Sequence, residues 1–176
     1  MRIILITHAE TSAAPPRSLS DQGRRQAKGL AGFIADIMGA DFRIKKAVSS
    51  PAVRCIETAL VVLEALSADR LRRLDTDPRL MAAKEPMEPD QLHRALADYA
   101  CDGMLVCQHA DLANALPGRI APPVIDDGWF QTRPILCLFD WEPDRPWEQN
   151  RILRLLGPDG APLIPPESSP DTKLLG

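Results

Sequence analysis

The sequence predicts an α/β domain: a three-layer α/β/α sandwich with helices on both faces of a mostly parallel sheet. Three observations carry this. Arg2-Ile3-Ile4-Leu5-Ile6 is a short apolar run that stops at Thr7-His8-Ala9-Glu10. Met104-Leu105-Val106-Cys107 is a second such run, and it stops at Gln108-His109. Short runs that are apolar throughout mark strands buried on both faces, as in parallel sheets. Between the two, helical patterns alternate with shorter strand patterns, the order that builds βαβ units with right-handed crossovers.

Each element follows from its own residues. After the first strand, Pro15-Pro16 forbids continuous helix and marks a loop. Ser20 is the expected N-cap of a first helix, with Asp21 complementing the dipole in its opening turn. Ala27, Leu30, Ala31, Ile34, Ile37 and Met38 recur at helical spacing, and Gly39 ends the pattern. Ala47-Val48-Ser49 is a short strand. Ser50 then reads as the N-cap of a second helix with Pro51 at its first position, and Val53, Ile56, Ala59, Leu60, Leu63 and Leu66 as its core face. Leu71 to Leu74 reads as an edge strand. Pro89-Asp90 opens a third helix carrying Leu92, Leu96 and Tyr99, which Gly103 breaks. A short helix is expected over 110–116. A further strand is expected at 134–139, with a partner starting at Trp129-Phe130. Residues 1–157 form one domain in this reading, and 158–176 a Pro-rich tail, extended or disordered.

Composition bounds the function. The chain has 176 residues, 45% hydrophobic and 26% charged, ordinary globular usage with room for a real core. A net charge of −3 gives no general attraction to nucleic acid or to an anionic membrane. No run approaches the ~20 apolar residues of a membrane span, and the first strand is too short for a signal-peptide core. Cys55, Cys101, Cys107 and Cys137 form no CxxC pair, so reduced thiols in a cytoplasmic protein fit better than a zinc or disulfide framework.

Three strand-to-helix junctions carry the chemistry. His8 ends one buried strand, His109 ends another, and Arg54 follows the strand at Ala47-Val48-Ser49. Parallel strands bring their carboxyl ends to one edge, where α/β sheets bind ligands. Two histidines, an arginine and helix N-termini there make an anion site, and phosphate is the natural anion. A neutral imidazole at His8 can attack phosphorus and carry the phosphoryl group. His109, kept cationic by the adjacent phosphate, would stabilise the transferring oxygens while Arg54 clamps them. Cationic side chains supply the charge, so no metal or other cofactor is expected. A metal shared by His8 and His109 would need a third ligand, and only Asp111 offers one nearby. His93 reads as a surface residue. Trp129, Trp141 and Trp147 read as packing residues.

These blocks resemble the histidine phosphatase superfamily, also called phosphoglycerate mutase-like. Thr7-His8-Ala9 stands where that family has an Arg-His-Gly, with Glu10-Thr11 like its continuation. Ser49-Ser50-Pro51-Ala52-Val53-Arg54 with Glu57-Thr58-Ala59 resembles its second block, and Leu105-Val106-Cys107-Gln108-His109 its third. The resemblance covers 1–116, with 135–140 as a later strand. The small size and the Arg17-to-Gly23 segment are most similar to the phosphohistidine phosphatase branch. The resemblance implies His8 and His109 as catalytic residues, Arg54 as phosphate-binding, and a phosphorylated small molecule or phosphoprotein as partner.

Two departures follow from the same comparison. Thr7 replaces the motif arginine, and loss of one charged donor costs ~3 kcal/mol or more of transition-state stabilisation. Thr7 keeps one neutral hydrogen bond for the phosphate, and Arg17 is the candidate to compensate; it reads equally as a solvated loop residue. Ala9 replaces the glycine, which implies a backbone without positive φ or a shifted loop. Glu85 and Glu88 are the candidate general acids, though both also read as surface residues. Phosphohistidine has a good leaving group and needs little acid help, so it fits such a site better than an alkyl phosphate. Two readings therefore stand: a phosphatase acting through phospho-His8, or a weakened phosphatase-like module that binds a phosphorylated ligand or partner.

Overall fold

The computed structural model describes residues 1–39, 41–66, 73–81, 89–109 and 134–163. Among them, six strands form one sheet in the order β3-β2-β4-β1-β5-β6. These are β1 (Arg2–Thr7), β2 (Lys46–Ser49), β3 (Leu74–Thr76), β4 (Met104–Gln108), β5 (Leu136–Asp140) and β6 (Arg151–Leu156). The helices are α1 (Asp21–Met38), α2 (Val53–Ala65) and α3 (Pro89–Ala97). β3, β2, β4 and β1 run parallel, while β5 lies antiparallel to β1 and β6 antiparallel to β5. The sheet is thus mostly parallel, as expected, with an antiparallel pair at one side.

Burial on both faces explains the unbroken apolar runs. Ile4 and Ile6 of β1 join Leu105, Cys107 and the buried stripes of α1 and α2 on one face. Ile3 and Leu5 join Met104, Val106, Phe139 and the α3 residues Leu92, Ala95 and Leu96 on the other. Such double coverage removes the alternation that a half-exposed sheet would show. Ser20 caps α1 by accepting from the Gly23 amide at 3.0 Å, and Gly39 ends it at φ 82°.

The structure corrects several expectations. α2 begins at Val53, with Ala52 as N-cap and no side-chain cap, rather than at Ser50-Pro51. The Ser50 hydroxyl is engaged elsewhere, and its amide continues the sheet by donating to the Cys107 carbonyl at 2.9 Å. α2 is also rotated: Val53 is 41% and Leu60 50% exposed, while Cys55, Thr58 and Val62 are buried. The edge strand is Leu74–Thr76 rather than ending at Leu74, and exposed Arg73 pairs with Asp75; residues 71–72 of the expected strand lie outside the described residues. β6 was not foreseen, and it, with β1, flanks β5. Beyond it, the Gly157 amide reaches the Ala161 carbonyl and Leu163 returns to Leu155, so 157–163 turns back along β6. His93 is half-buried, edge-on to Trp141 and Trp147, with Nε2 2.8 Å from the Pro143 carbonyl. Trp141 and Trp147 are core residues. The expected helix at 110–116, the Trp129-Phe130 strand and the rest of the tail lie outside the described residues.

Candidate active site

The parallel register sets the site. β1 pairs with β4 so that Thr7 lies opposite Gln108, and the next residues, His8 and His109, leave the sheet together. The His8 amide donates to the Gln108 carbonyl at 2.9 Å, carrying the pairing one step past the strand. The two imidazoles sit 5.6 Å apart between centroids, edge-on at 73°, and both are buried. The sequence argument that gathered them at one sheet edge is matched by this placement.

Hydrogen bonds orient each ring. His8 Nδ1 lies 2.8 Å from the Ala9 carbonyl, an acceptor, so Nδ1 carries the proton. In the neutral ring the lone pair is then on Nε2, the nitrogen that has the chemistry to attack phosphorus. His109 Nδ1 lies 3.1 Å from Arg54 Nη2, and its Nε2 lies 2.9 Å from Ser50 Oγ. Arg54 reaches the pocket from the first turn of α2, as expected. Its Nε is buried with no hydrogen-bond partner among the described residues. A buried guanidinium N–H left unpaired is expensive, and an anion would satisfy it. A guanidinium only donates, so Nδ1 of His109 accepts from Arg54 here.

The other sequence candidates fall differently. Thr7 is buried, and its Oγ1 accepts from the Ile135 amide at 2.9 Å, fixing the start of β5. Arg17 is exposed at φ 38°, and its Nη2 donates to Thr11 Oγ1 at 3.2 Å, so it stands on the loop beside the site rather than on either histidine. Ala9 is not among the positive-φ residues, so its Cβ is accommodated without strain. Glu85, Glu88 and Asp111 lie outside the described residues. Among the described residues no three His, Cys, Asp or Glu side chains converge as a metal site would require.

Three contributors escaped the sequence reading. Ser50 holds His109. Thr58 accepts from the Ala9 amide at 3.1 Å and donates to the Arg54 carbonyl at 2.7 Å, tying the residue after His8 to the helix that carries Arg54. Cys55 lies with Sγ 3.7 Å from His109 Nε2. The Cys107 thiol hydrogen bond, opposed by burial and aided by His109 and Arg54, brings the Cys55 thiol down to about 6, while burial drives Cys107 the other way. The loop after His8 is also bolted down: Glu57 Oε2 accepts from the Leu19 amide at 2.6 Å, and Glu10 Oε1 accepts from Ser20 Oγ at 2.7 Å.

The fold has counterparts among known proteins. The profile of the histidine phosphatase superfamily (branch 1) matches residues 3–84. The protein histidine phosphatase SixA, solved with tungstate, superposes with a TM-score of 0.68 at 16% identity, covering 90% of this chain and 97% of its own. A phosphoglycerate mutase of Plasmodium falciparum gives 0.51 at 17% identity, covering 86% of each chain. A mycobacterial glucosyl-3-phosphoglycerate phosphatase gives 0.51 at 15%, covering 88% of this chain and 96% of its own. At these identities the likeness shows the fold, a phosphoglycerate mutase-like one. No curated protein sequence matches.

Proposed function

We propose that this protein, whose residues 3–84 match the histidine phosphatase superfamily profile, hydrolyses a phosphoryl group through a phosphohistidine intermediate on His8. The observation that carries the reading is the convergence of His8, His109 and Arg54 in one buried pocket. His8 Nε2 attacks phosphorus, a P–N bond forms, and the bond to the leaving group breaks with that group taking up a proton. Water then attacks the same phosphorus, the P–N bond breaks, and inorganic phosphate leaves. Arg54 and His109 offset the charge on the transferring oxygens; Arg54 turns from His109 Nδ1 to the anion, and Nδ1 then takes a proton.

A phosphohistidine protein or a small phosphoester is the proposed substrate. The likeness to a protein histidine phosphatase supports the former, and so does a site in which the motif arginine is a threonine, because a P–N bond asks less of the enzyme than a P–O bond. Among the described residues no helix is long and apolar enough to cross a membrane, and Cys55, Cys107 and Cys137 are buried free thiols. The unoxidised thiols favour a cytoplasmic location. One observation supports a second reading: Thr7 is committed to Ile135, which leaves the pocket without the family's first-motif charge. A binding module for phosphorylated ligands would look the same.

Incubation with a phosphohistidine protein and with acetyl phosphate, followed by rapid quench, separates the two. A phosphoenzyme that vanishes in His8→Ala supports the phosphatase. Phosphate or vanadate binding that depends on Arg54, with no phosphoenzyme and no turnover at high protein concentration, would establish the binding module.

A further inference from the structure

We infer that Ser50 is a positioning residue that fixes the proton of His109 on Nε2, so that Nδ1 is the nitrogen His109 turns toward the anion. The inference rests on the phosphoryl-transfer reading for its catalytic consequence, but its geometric half stands alone. Ser50 immediately follows β2 and is wholly buried. Its amide is stitched to the Cys107 carbonyl at 2.9 Å, two residues before His109, so its side chain is fixed relative to β4.

The tautomer follows from donors and acceptors. Arg54 Nη2, 3.1 Å from Nδ1, has no lone pair to offer, so Nδ1 must supply one. The ring proton is therefore on Nε2, and Ser50 Oγ at 2.9 Å accepts it. The rest of the hydroxyl is already allotted. The Ala52 amide donates to it at 3.4 Å, and its own hydrogen points to Met81 Sδ at 3.8 Å. Ser50 is thus held as an acceptor toward His109. Among the described residues, the other acceptor within reach of Nε2 is Cys55 Sγ at 3.7 Å, a softer and longer contact. With Ser50 removed, Nε2–H loses its short partner and the ring is free to turn toward the sulfur, taking Nδ1 off the line to Arg54.

Histidine-selective 15N labelling tests this, because long-range 15N–1H correlations distinguish the two imidazole tautomers. In wild-type protein without substrate, His109 is expected as the Nε2–H form. Ser50→Ala should mix the tautomers, and Ser50→Thr should restore the wild-type pattern. On an acid-labile phosphoramidate, kcat should fall about tenfold in Ser50→Ala, the scale of one lost hydrogen bond, with KM little changed and Ser50→Thr recovering most of it. A wild-type His109 protonated on Nδ1 overturns the inference whatever the variants do, as does a folded Ser50→Ala with unaltered tautomer and rate. If wild type turns over no phosphoryl compound yet shows the Ser50-dependent Nε2–H form, the phosphatase reading fails while the positioning of His109 by Ser50 holds.

Discussion

Ala9 hangs on Thr58: the Ala9 amide donates to Thr58 Oγ1 at 3.1 Å, across 49 residues of sequence. The same hydroxyl donates to the Arg54 carbonyl at 2.7 Å, one turn back along α2. One side chain therefore sets the distance between the residue after His8 and the helix that carries Arg54. Thr58→Val keeps the shape and deletes both bonds, leaving the Ala9 amide buried and unpaired. Urea denaturation should show a loss of about 1–3 kcal/mol. Phosphoenzyme formation should slow by about tenfold as His8 and Arg54 drift apart, and Thr58→Ser should retain most of both properties.

Gly23 is where α1 meets the loop that follows His8. A Cβ there would lie 2.0 Å from the Glu10 carbonyl oxygen and 3.0 Å from its carbon, both backbone atoms with nowhere to go. An alanine in a helix is normally worth roughly 0.5–1 kcal/mol over glycine. Gly23→Ala should reverse that sign and lower stability by about 1–3 kcal/mol through overpacking. Gly32, in the same helix with nothing within 4 Å, is the matched control; Gly32→Ala should raise the melting temperature where Gly23→Ala lowers it.

The parts of this protein that sequence discloses are those with local causes. The strand over Arg2–Thr7 and the α1 stripe follow from period and capping, and parallel pairing alone carries His8, Arg54 and His109 to one edge. What stayed hidden depends on contacts across long separations between residue types that give no burial signal. Ser50 meets His109 across 59 positions, and Thr7 meets Ile135 across 128. The rotation of α2 was misread for the same reason. Val53 and Leu60 carry the larger apolar signal, yet Cys55 and Thr58 are the residues turned inward, because the helix must present Arg54 to the histidines. β6 reads weakly because its first four residues are not fully buried, as befits an edge strand.

Thr7 is the position where the site departs from the Arg-His-Gly motif it resembles, and the structure gives it work in the scaffold. Its Oγ1 takes the Ile135 amide at 2.9 Å, while its own amide donates to the Ile135 carbonyl at 3.0 Å. Thr7→Val removes only the first of these bonds. Unfolding free energy should fall by about 1–3 kcal/mol as the Ile135 amide is left buried and unpaired. Phosphate affinity, measured by titration calorimetry on the folded protein, should change far less than it does in Arg54→Ala. A larger loss of phosphate affinity in Thr7→Val than in Arg54→Ala would return Thr7 to the phosphate-binding role its sequence position suggests.

Asp77 supports the far side of the pocket and makes it sensitive to acid. Its amide donates to the Ser49 carbonyl at 2.9 Å, next to Ser50, and its carboxylate accepts from the Arg79 amide, Nε and Nη2, the last at 2.6 Å. Burial works to raise this carboxyl, but the Arg79 hydrogen bonds outweigh it and hold it below the ordinary 3.8. A carboxyl lowered on folding contributes stability that is fully present above its unfolded value and is lost as pH falls through the folded one. Asp77→Asn should therefore cost about 2 kcal/mol at pH 7, the scale of hydrogen bonds to a charged group. The gap to wild type should close as pH drops below 3.8 and the wild-type carboxylate also takes up its proton. Guanidinium denaturation of both proteins across that range reads the difference directly. A gap that persists at the acid end would mean that Asp77 acts by packing rather than by charge.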